Sequence, residues 1–251
     1  SYETEQFASK MIEEEKLDCH YIITNEAGAS VYSASKLAID ELPDLDVTIR
    51  GAVSIARRVQ DPLAESVKID PKSIGVGQYQ HDVNQKQLTH TLDQVVESVV
   101  NHVGVELNTA SPAILQHIAG ISGTVAKNIV AFRQENGGFT SRKQLLKVPR
   151  LGPAAFTQCA GFLRLNGAKN PLDNTSVHPE SYELAERIIG ELGFTLKDLQ
   201  DKSQLEALQV KLPLVDVDKM AHKLDAGIPT VRDIIAALAK PGRDPREDLP
   251  A

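Results

Sequence analysis

The sequence is poor in aromatic residues and cysteine, and it lacks tryptophan altogether. Aromatic residues make up 4% of the chain, too few for the stacking platforms that hold single-stranded nucleic acids. The two cysteines, Cys19 and Cys159, lie far apart, which excludes a disulfide scaffold and favours reduced thiols in a cytoplasmic protein. Nowhere do eighteen apolar residues run together, so we expect no membrane contact.

Motifs for catalysis and for cofactor binding are also missing. The sequence contains no phosphate-binding loop, dinucleotide fingerprint or nucleophile elbow, and its seven histidines show no metal-ligand spacing. Glu26 and Asp61 could be remnants of a two-metal nuclease site, but most of the strands that would supply the other carboxylates are absent. We therefore expect no enzymatic activity, no cofactor and no metal.

Positive charge is concentrated in one part of an otherwise acidic chain. The net charge of the 251 residues is −7, yet residues 105–170 carry +6, against −8 for 1–104 and −5 for 171–251. The central segment alone suits a polyanionic partner. The acidic last segment would repel phosphate, and we expect it to serve as a spacer or to bind a protein.

Hydrophobic periodicity predicts a mostly α-helical chain with a small α/β portion at its start. Residues 3–15 are predicted to form a helix, and "HYIIT" (20–24) is typical of a strand. Pro62 should break the helix predicted over 49–67, and the apolar spacing from 88 to 103 indicates a helix of about five turns.

The basic segment repeats itself. Sliding it by 30 residues superposes four apolar pairs: Leu115 on Leu145, Ile118 on Val148, Ile121 on Leu151 and Phe132 on Phe162. An offset of 29 would align Gly123 with Gly152 but loses the apolar matches. The sequence therefore predicts two copies of a helix, a tight hairpin and a second helix, with the hairpins at 119–122 and 149–152.

Such hairpins expose backbone N–H groups at the start of a helix, where the helix dipole already favours an anion. Nearby cations would attract a nucleic-acid phosphate without reading base identity, so binding would be independent of sequence and sensitive to salt. A pseudo-two-fold pair would hold one strand of a duplex at each hairpin. The candidate binding residues are Gly120, Ser122, Gly123, Thr124, Lys127 and Asn128 in the first copy, and Lys147, Arg150 and Gly152 in the second.

The repeat resembles the tandem helix-hairpin-helix family, whose hairpin carries two glycines one residue apart. Each copy keeps one of them: Gly120 is followed by Ser122, and Arg150 by Gly152. Replacing a glycine at a position of close approach can block a phosphate. A helix-hairpin-helix pair used only for packing is therefore the alternative interpretation.

Five longer motifs resemble the Tex family of bacterial transcription accessory proteins. They are "NEAGASVYSAS" (25–35), "RGAVSIARRVQDPLAE" (50–65), "DPKSIGVGQYQHDV" (70–83), "LDNTSVHPESY" (172–182) and "PTVRDIIAALAKPGRDPRE" (229–247). The chain opens without methionine, directly into helix-like sequence, so we expect it to be part of a longer protein.

The resemblance implies an order of domains. Residues 1–68 would be the end of a ribonuclease-H-like domain, 69–104 a connector with a long helix, 105–170 the tandem helix-hairpin-helix domain, 171–242 a further helical, helix-hairpin-helix-like domain, and 243–251 a linker. The family's C-terminal RNA-binding domain, of the oligonucleotide-binding fold, would lie beyond it.

The function implied is binding of DNA or RNA through the phosphate backbone, within a bacterial protein that acts in transcription and contacts the transcription machinery. The alternative is a structural or protein-interaction scaffold, with nucleic acid held mainly by the missing C-terminal domain.

Overall fold

The structure, a computed structural model, describes residues 2–239 and divides the chain into two compact units, 1–80 and a second that begins at His81. The predicted linker 243–251 and the end of the predicted domain 171–242 lie outside the described residues. The predicted domain boundaries stay predictions. No helix among residues 2–239 is long and apolar enough to span a membrane.

The first unit is built from six helices in its described residues: α1 (Tyr2–Glu14), α2 (Ala29–Ser33), α3 (Lys36–Glu41), α4 (Val47–Gln60), α5 (Pro62–Ser66) and α6 (Pro71–Ile74). Pro62 ends one helix and starts the next, as its missing N–H dictates, and the Asp61 carboxylate caps α5 through the Ala64 N–H at 2.9 Å. Asp61 thus has a structural role.

The strand predicted at 20–24 is wrong, because this segment is in neither a helix nor a strand. Its β-branched residues favour extended backbone, but a strand also needs a neighbour to pair with its N–H and C=O groups. Residues 2–80 contain no second strand, and the Ile23 side chain is 71% exposed. Residues 2–80 therefore contain helices and no strand, and the mostly α-helical fold class predicted from the sequence is confirmed.

A network of charged and polar side chains ties the helices of the first unit together. The Lys68 ammonium, only 4% exposed, lies 2.6 Å from the Glu65 carboxylate and 3.0 Å from that of Glu41. Tyr32 donates to Glu41 at 2.6 Å, and Ser54 donates to Glu65 at 3.1 Å. Each buried charge has a partner, which is the condition under which burying it is tolerated.

The first long element of the second unit is the helix α7 (Gln85–Val103), which confirms the helix predicted from the apolar spacing of 88–103. Two short strands and two further pairs of helices follow. Their order is β1 (Val105–Glu106), α8 (Pro112–Leu115), α9 (Gly123–Asn136), a 3₁₀ helix (Arg142–Lys147), α10 (Pro153–Cys159) and β2 (Leu163–Arg164). The first helix of the second copy is thus a 3₁₀ helix, started by a capping box between Ser141 and Gln144.

The two strands close this segment on itself. They pair in parallel, Val105 opposite Leu163 and Glu106 opposite Arg164. The Glu106 carboxylate strengthens the closure because it accepts hydrogen bonds from the backbone N–H groups of Asn108 (3.2 Å) and Asn166 (3.0 Å). Burial raises the pKa of Glu106.

The rest of the described chain forms four helices around an apolar core: α11 (Tyr182–Glu191), α12 (Lys202–Lys211), α13 (Val217–Leu224) and α14 (Ile228–Ala239). Short 3₁₀ turns join them. The core is lined by buried Leu, Ile and Val side chains, among them Leu172, Ile188, Leu208, Val231 and Ile234.

Arg142 joins the basic segment to these later helices. Its side chain is fully buried, although it opens the 3₁₀ helix that leads to the second hairpin. The guanidinium donates to the carbonyl of Val177 at 2.8 Å, to the carbonyl of Thr175 and to the Tyr182 hydroxyl at 3.1 Å. Asp173 accepts from the Tyr182 hydroxyl at 2.5 Å and from the backbone N–H of Arg142 at 3.1 Å.

We predict that Arg142→Met destabilises the protein by about 3–5 kcal/mol, because it leaves two backbone carbonyls buried without their donor and removes a buried positive charge that interacts with Asp173. The measurement is urea unfolding of the 251-residue chain. Lys143→Met is the matched control, since Lys143 is exposed on the same turn. An equal loss of stability in the two variants would contradict the role assigned to Arg142.

Candidate nucleic-acid interface

The two predicted hairpins have the same backbone hydrogen bonds at an offset of 30 residues. Ile121 N–H donates to Ile118 O at 3.0 Å in the first, and Leu151 N–H to Val148 O at 3.1 Å in the second. The following helix is opened by Ser122 in one copy and by Gly152 in the other. The repeat, and the choice of 30 over 29, are therefore confirmed.

Each hairpin packs against the second helix of the other copy. In one direction, the Asn128 side-chain amide on α9 donates to the carbonyl of Pro149 at 2.8 Å. In the other, Gly120 lies so close to α10 that an added Cβ would be 2.8 Å from the Gln158 Cβ and 3.2 Å from the Ala155 carbonyl oxygen. Asn128 and Gln158 are themselves 30 residues apart, so the contacts repeat with the pseudo-two-fold expected of the pair.

Asn101 fixes the first hairpin from the side of α7. Its side-chain amide donates to the His117 carbonyl at 2.9 Å, and its oxygen accepts from the Ala119 N–H at 3.1 Å. Burial lowers the pKa of His117, against the opposing effect of the carboxylates of Asp93 and Glu97 on the same helix. Sequence reasoning missed Asn101, because a polar residue on a long helix carries no signal of what it touches.

The start of α9 presents the predicted groups of the first copy to the surface. Ser122, Gly123, Thr124 and Lys127 are all exposed. The Ser122 hydroxyl caps the Val125 N–H at 3.3 Å. Asn128, by contrast, is occupied by its bond to the second hairpin, so the structure gives it a packing role.

The second copy presents side-chain charge. Lys147, Arg150 and Gly152 are exposed, but the first residue of α10 is Pro153, which has no N–H to offer. Arg150 takes the place of Gly120 in the hairpin. Within residues 2–239, Lys127, Lys147 and Arg150 take part in no ion pair.

Three of the eight basic residues in 105–170 face inward. Arg133 donates to the carbonyls of Leu107 (3.0 Å) and Ala110 (2.9 Å), and Arg164 donates to Gly161 O at 2.7 Å. Burial, and secondarily the charge of Arg142, lowers the pKa of Arg164 to about 10. The basic residues left at the surface are Lys127, Lys143, Lys147, Arg150 and Lys169.

A third hairpin of related form lies between α12 and α13. Val215 N–H donates to Leu212 O at 3.2 Å, and Asp216 then opens α13, where its carboxylate accepts from the Lys219 N–H at 3.1 Å. That hydrogen bond lowers the pKa of Asp216. Because a carboxylate sits at this helix start, the third hairpin would repel a phosphate.

Comparisons with known proteins agree with this architecture. A helix-hairpin-helix motif family matches residues 100–164, a Tex protein YqgF-like domain matches 1–60, and a second helix-hairpin-helix domain matches 170–246. The chain is 57% identical to Protein YhgF of Escherichia coli (strain K12) over 99% of its own length and 31% of that protein.

Two further relatives carry descriptive names. The chain is 54% identical to "Transcriptional accessory protein Tex" of Neisseria gonorrhoeae over 98% of its length and 32% of that protein. It is 42% identical to "S1 RNA-binding domain-containing protein 1" of Homo sapiens over 90% of its length and 27% of that protein. The chain thus spans about a third of the length of these relatives.

The repeated hairpins define a tandem helix-hairpin-helix protein, a class typical of nucleic-acid binding. With a YqgF-like match before them and a further helix-hairpin-helix domain after them, the chain belongs to the Tex family.

We predict that Gly120→Ala destabilises the protein by about 2–3 kcal/mol, because Gly120 has a φ of 81° and a new Cβ would meet α10. Gly152→Ala is the matched control. Gly152 has a φ of −80° and no atom within 4 Å of an added Cβ. Gly152→Ala should therefore lower the free energy of unfolding by less than about 1 kcal/mol. Thermal unfolding followed by circular dichroism measures both, and equal costs would contradict the close packing at Gly120.

Proposed function

We propose that the tandem helix-hairpin-helix segment binds the sugar-phosphate backbone of nucleic acids without reading their sequence. The observation that carries this proposal is the pair of equivalent, exposed hairpins with cations beside them that form no ion pair within residues 2–239. These cations are Lys127 at the first hairpin, and Lys147 and Arg150 at the second.

The chemistry expected of the two hairpins differs. At the first, the N–H groups of Gly123 and Thr124 open a helix of 14 residues, whose dipole favours an anion, and Lys127 lies one turn further on. At the second, Pro153 has no N–H at the position equivalent to Gly123, so more of the attraction depends on the Lys147 and Arg150 side chains. Contacts of both kinds carry no information about the base, which supports binding without sequence preference.

The cellular setting is part of the same proposal. A relative named as a transcriptional accessory protein supports a role in transcription. A cytoplasmic location and contact with the transcription machinery belong to the proposal as well. We also propose that the chain is not an enzyme; Asp61, one of the two carboxylates considered for a nuclease site, caps α5.

A scaffold role is the second candidate, and a specific observation favours it. Asn128 and Gly120 serve the mutual packing of the hairpins. A groove of about 390 Å³ beside the third hairpin is lined by four apolar residues, among them Leu214 and Met220, and by five charged residues. Leu214 is 81% exposed. In that case nucleic-acid affinity would lie outside this segment.

We predict that the double variant Lys127→Glu/Arg150→Glu loses salt-sensitive binding. Each phosphate contact removed should lower the steepness of log K against log salt by about 0.7–0.9, so the slope should fall by about 1.5 or more. The measurement is fluorescence anisotropy of labelled duplex DNA and of single-stranded RNA, at low and moderate salt.

The matched control is Lys197→Glu/Lys202→Glu, which changes the net charge equally at two exposed lysines of the acidic segment. The control should keep the wild-type slope. An equal loss of salt-sensitive binding in both double variants would mean that net charge, and not the hairpins, determines binding. Absence of binding by the wild type at low salt would favour the scaffold role.

A further inference from the structure

Arg150 has a backbone conformation that suits glycine. Its φ is 67°, in the left-handed region where a side chain crowds the following carbonyl. It is the third residue of the four-residue turn Val148–Leu151, a position at which a turn with positive φ favours glycine. The first copy satisfies this rule, because the equivalent residue is Gly120 with a φ of 81°.

A positive φ at the third residue of the turn is not found in every hairpin of this fold. In the third hairpin, Leu214 occupies the matching place inside a 3₁₀ turn and is not among the residues of positive φ. The second hairpin instead keeps the shape of the first, and the residue facing it on α9, Asn128, is one methylene shorter than Gln158, which faces Gly120.

No contact within residues 2–239 offsets the conformational strain of Arg150 at positive φ. Arg150 is exposed, and its guanidinium has no hydrogen bond or ion pair in residues 2–239. The other arginines of the segment behave differently, since Arg133, Arg142 and Arg164 each donate to backbone carbonyls. A strained residue without an internal partner indicates an external one.

We propose that Arg150 is the side-chain anchor of the second hairpin, kept in a glycine conformation at the expense of stability because its guanidinium holds a backbone phosphate. This inference rests on the proposed function. A guanidinium presents a planar fork of donors that matches two phosphate oxygens, which a lysine ammonium cannot do. The fork compensates for the N–H that Pro153 lacks, so the two hairpins hold phosphate by different means.

The test compares Arg150→Gly, Arg150→Ala and Arg150→Lys in the 251-residue chain, with two readouts: the melting temperature and the affinity for labelled duplex DNA at low salt. Arg150→Gly relieves the backbone and should raise the melting temperature by about 2–4 °C, while affinity falls about tenfold. Arg150→Ala should lose the same affinity without gaining stability. Arg150→Lys should leave the melting temperature unchanged and lose part of the affinity.

Lys169→Gly is the matched control, because it removes an exposed cation of the same segment from a residue that is not left-handed. It should gain no stability and lose little affinity. Wild-type affinity in Arg150→Gly would overturn the anchor role alone, and so would a melting temperature that does not rise. Absence of DNA binding by the wild type would overturn the proposed function together with this inference.

Discussion

The fold of residues 105–164 depends on the mutual packing of two hairpins, neither of which could be stable alone. The flanking helices are short: α8 has four residues and α10 has seven, too few to persist without tertiary contacts. Each hairpin therefore rests on a helix of the other copy, through Gly120 against Gln158 and through Asn128 to Pro149. This exchange orients both helix starts outward, so the packing that stabilises the fold also creates the exposed surface.

The basic residues of 105–170 have two different roles. Its arginines mostly face inward, where a planar guanidinium satisfies several carbonyls at once, as Arg142 does for Thr175 and Val177. Its lysines, which hold their charge in water, stay at the surface. The net charge of +6 read from the sequence therefore overstates the positive charge at the surface, where Arg150 is the one arginine of residues 105–170 that is exposed.

The sequence predicted the periodic elements well and the tertiary contacts poorly. The repeat at an offset of 30 and the long helix α7 follow from local rules that these residues obey by themselves. The strand at 20–24 failed because strand formation needs a partner that a local pattern does not show. Asn101 and Arg142 went unnoticed for the same reason, since their roles arise from residues 16–40 positions away.

The pairing of β1 with β2 has a topological consequence. Val105 and Leu163 lie side by side, so the chain enters and leaves the hairpin pair at one point. A segment with adjacent ends can be opened elsewhere and rejoined without disturbing its contacts. Residues 105–164 are accordingly suited to circular permutation, for example with new ends at the exposed Gly137 turn, and the order of the two hairpins along the chain is separable from their arrangement in space.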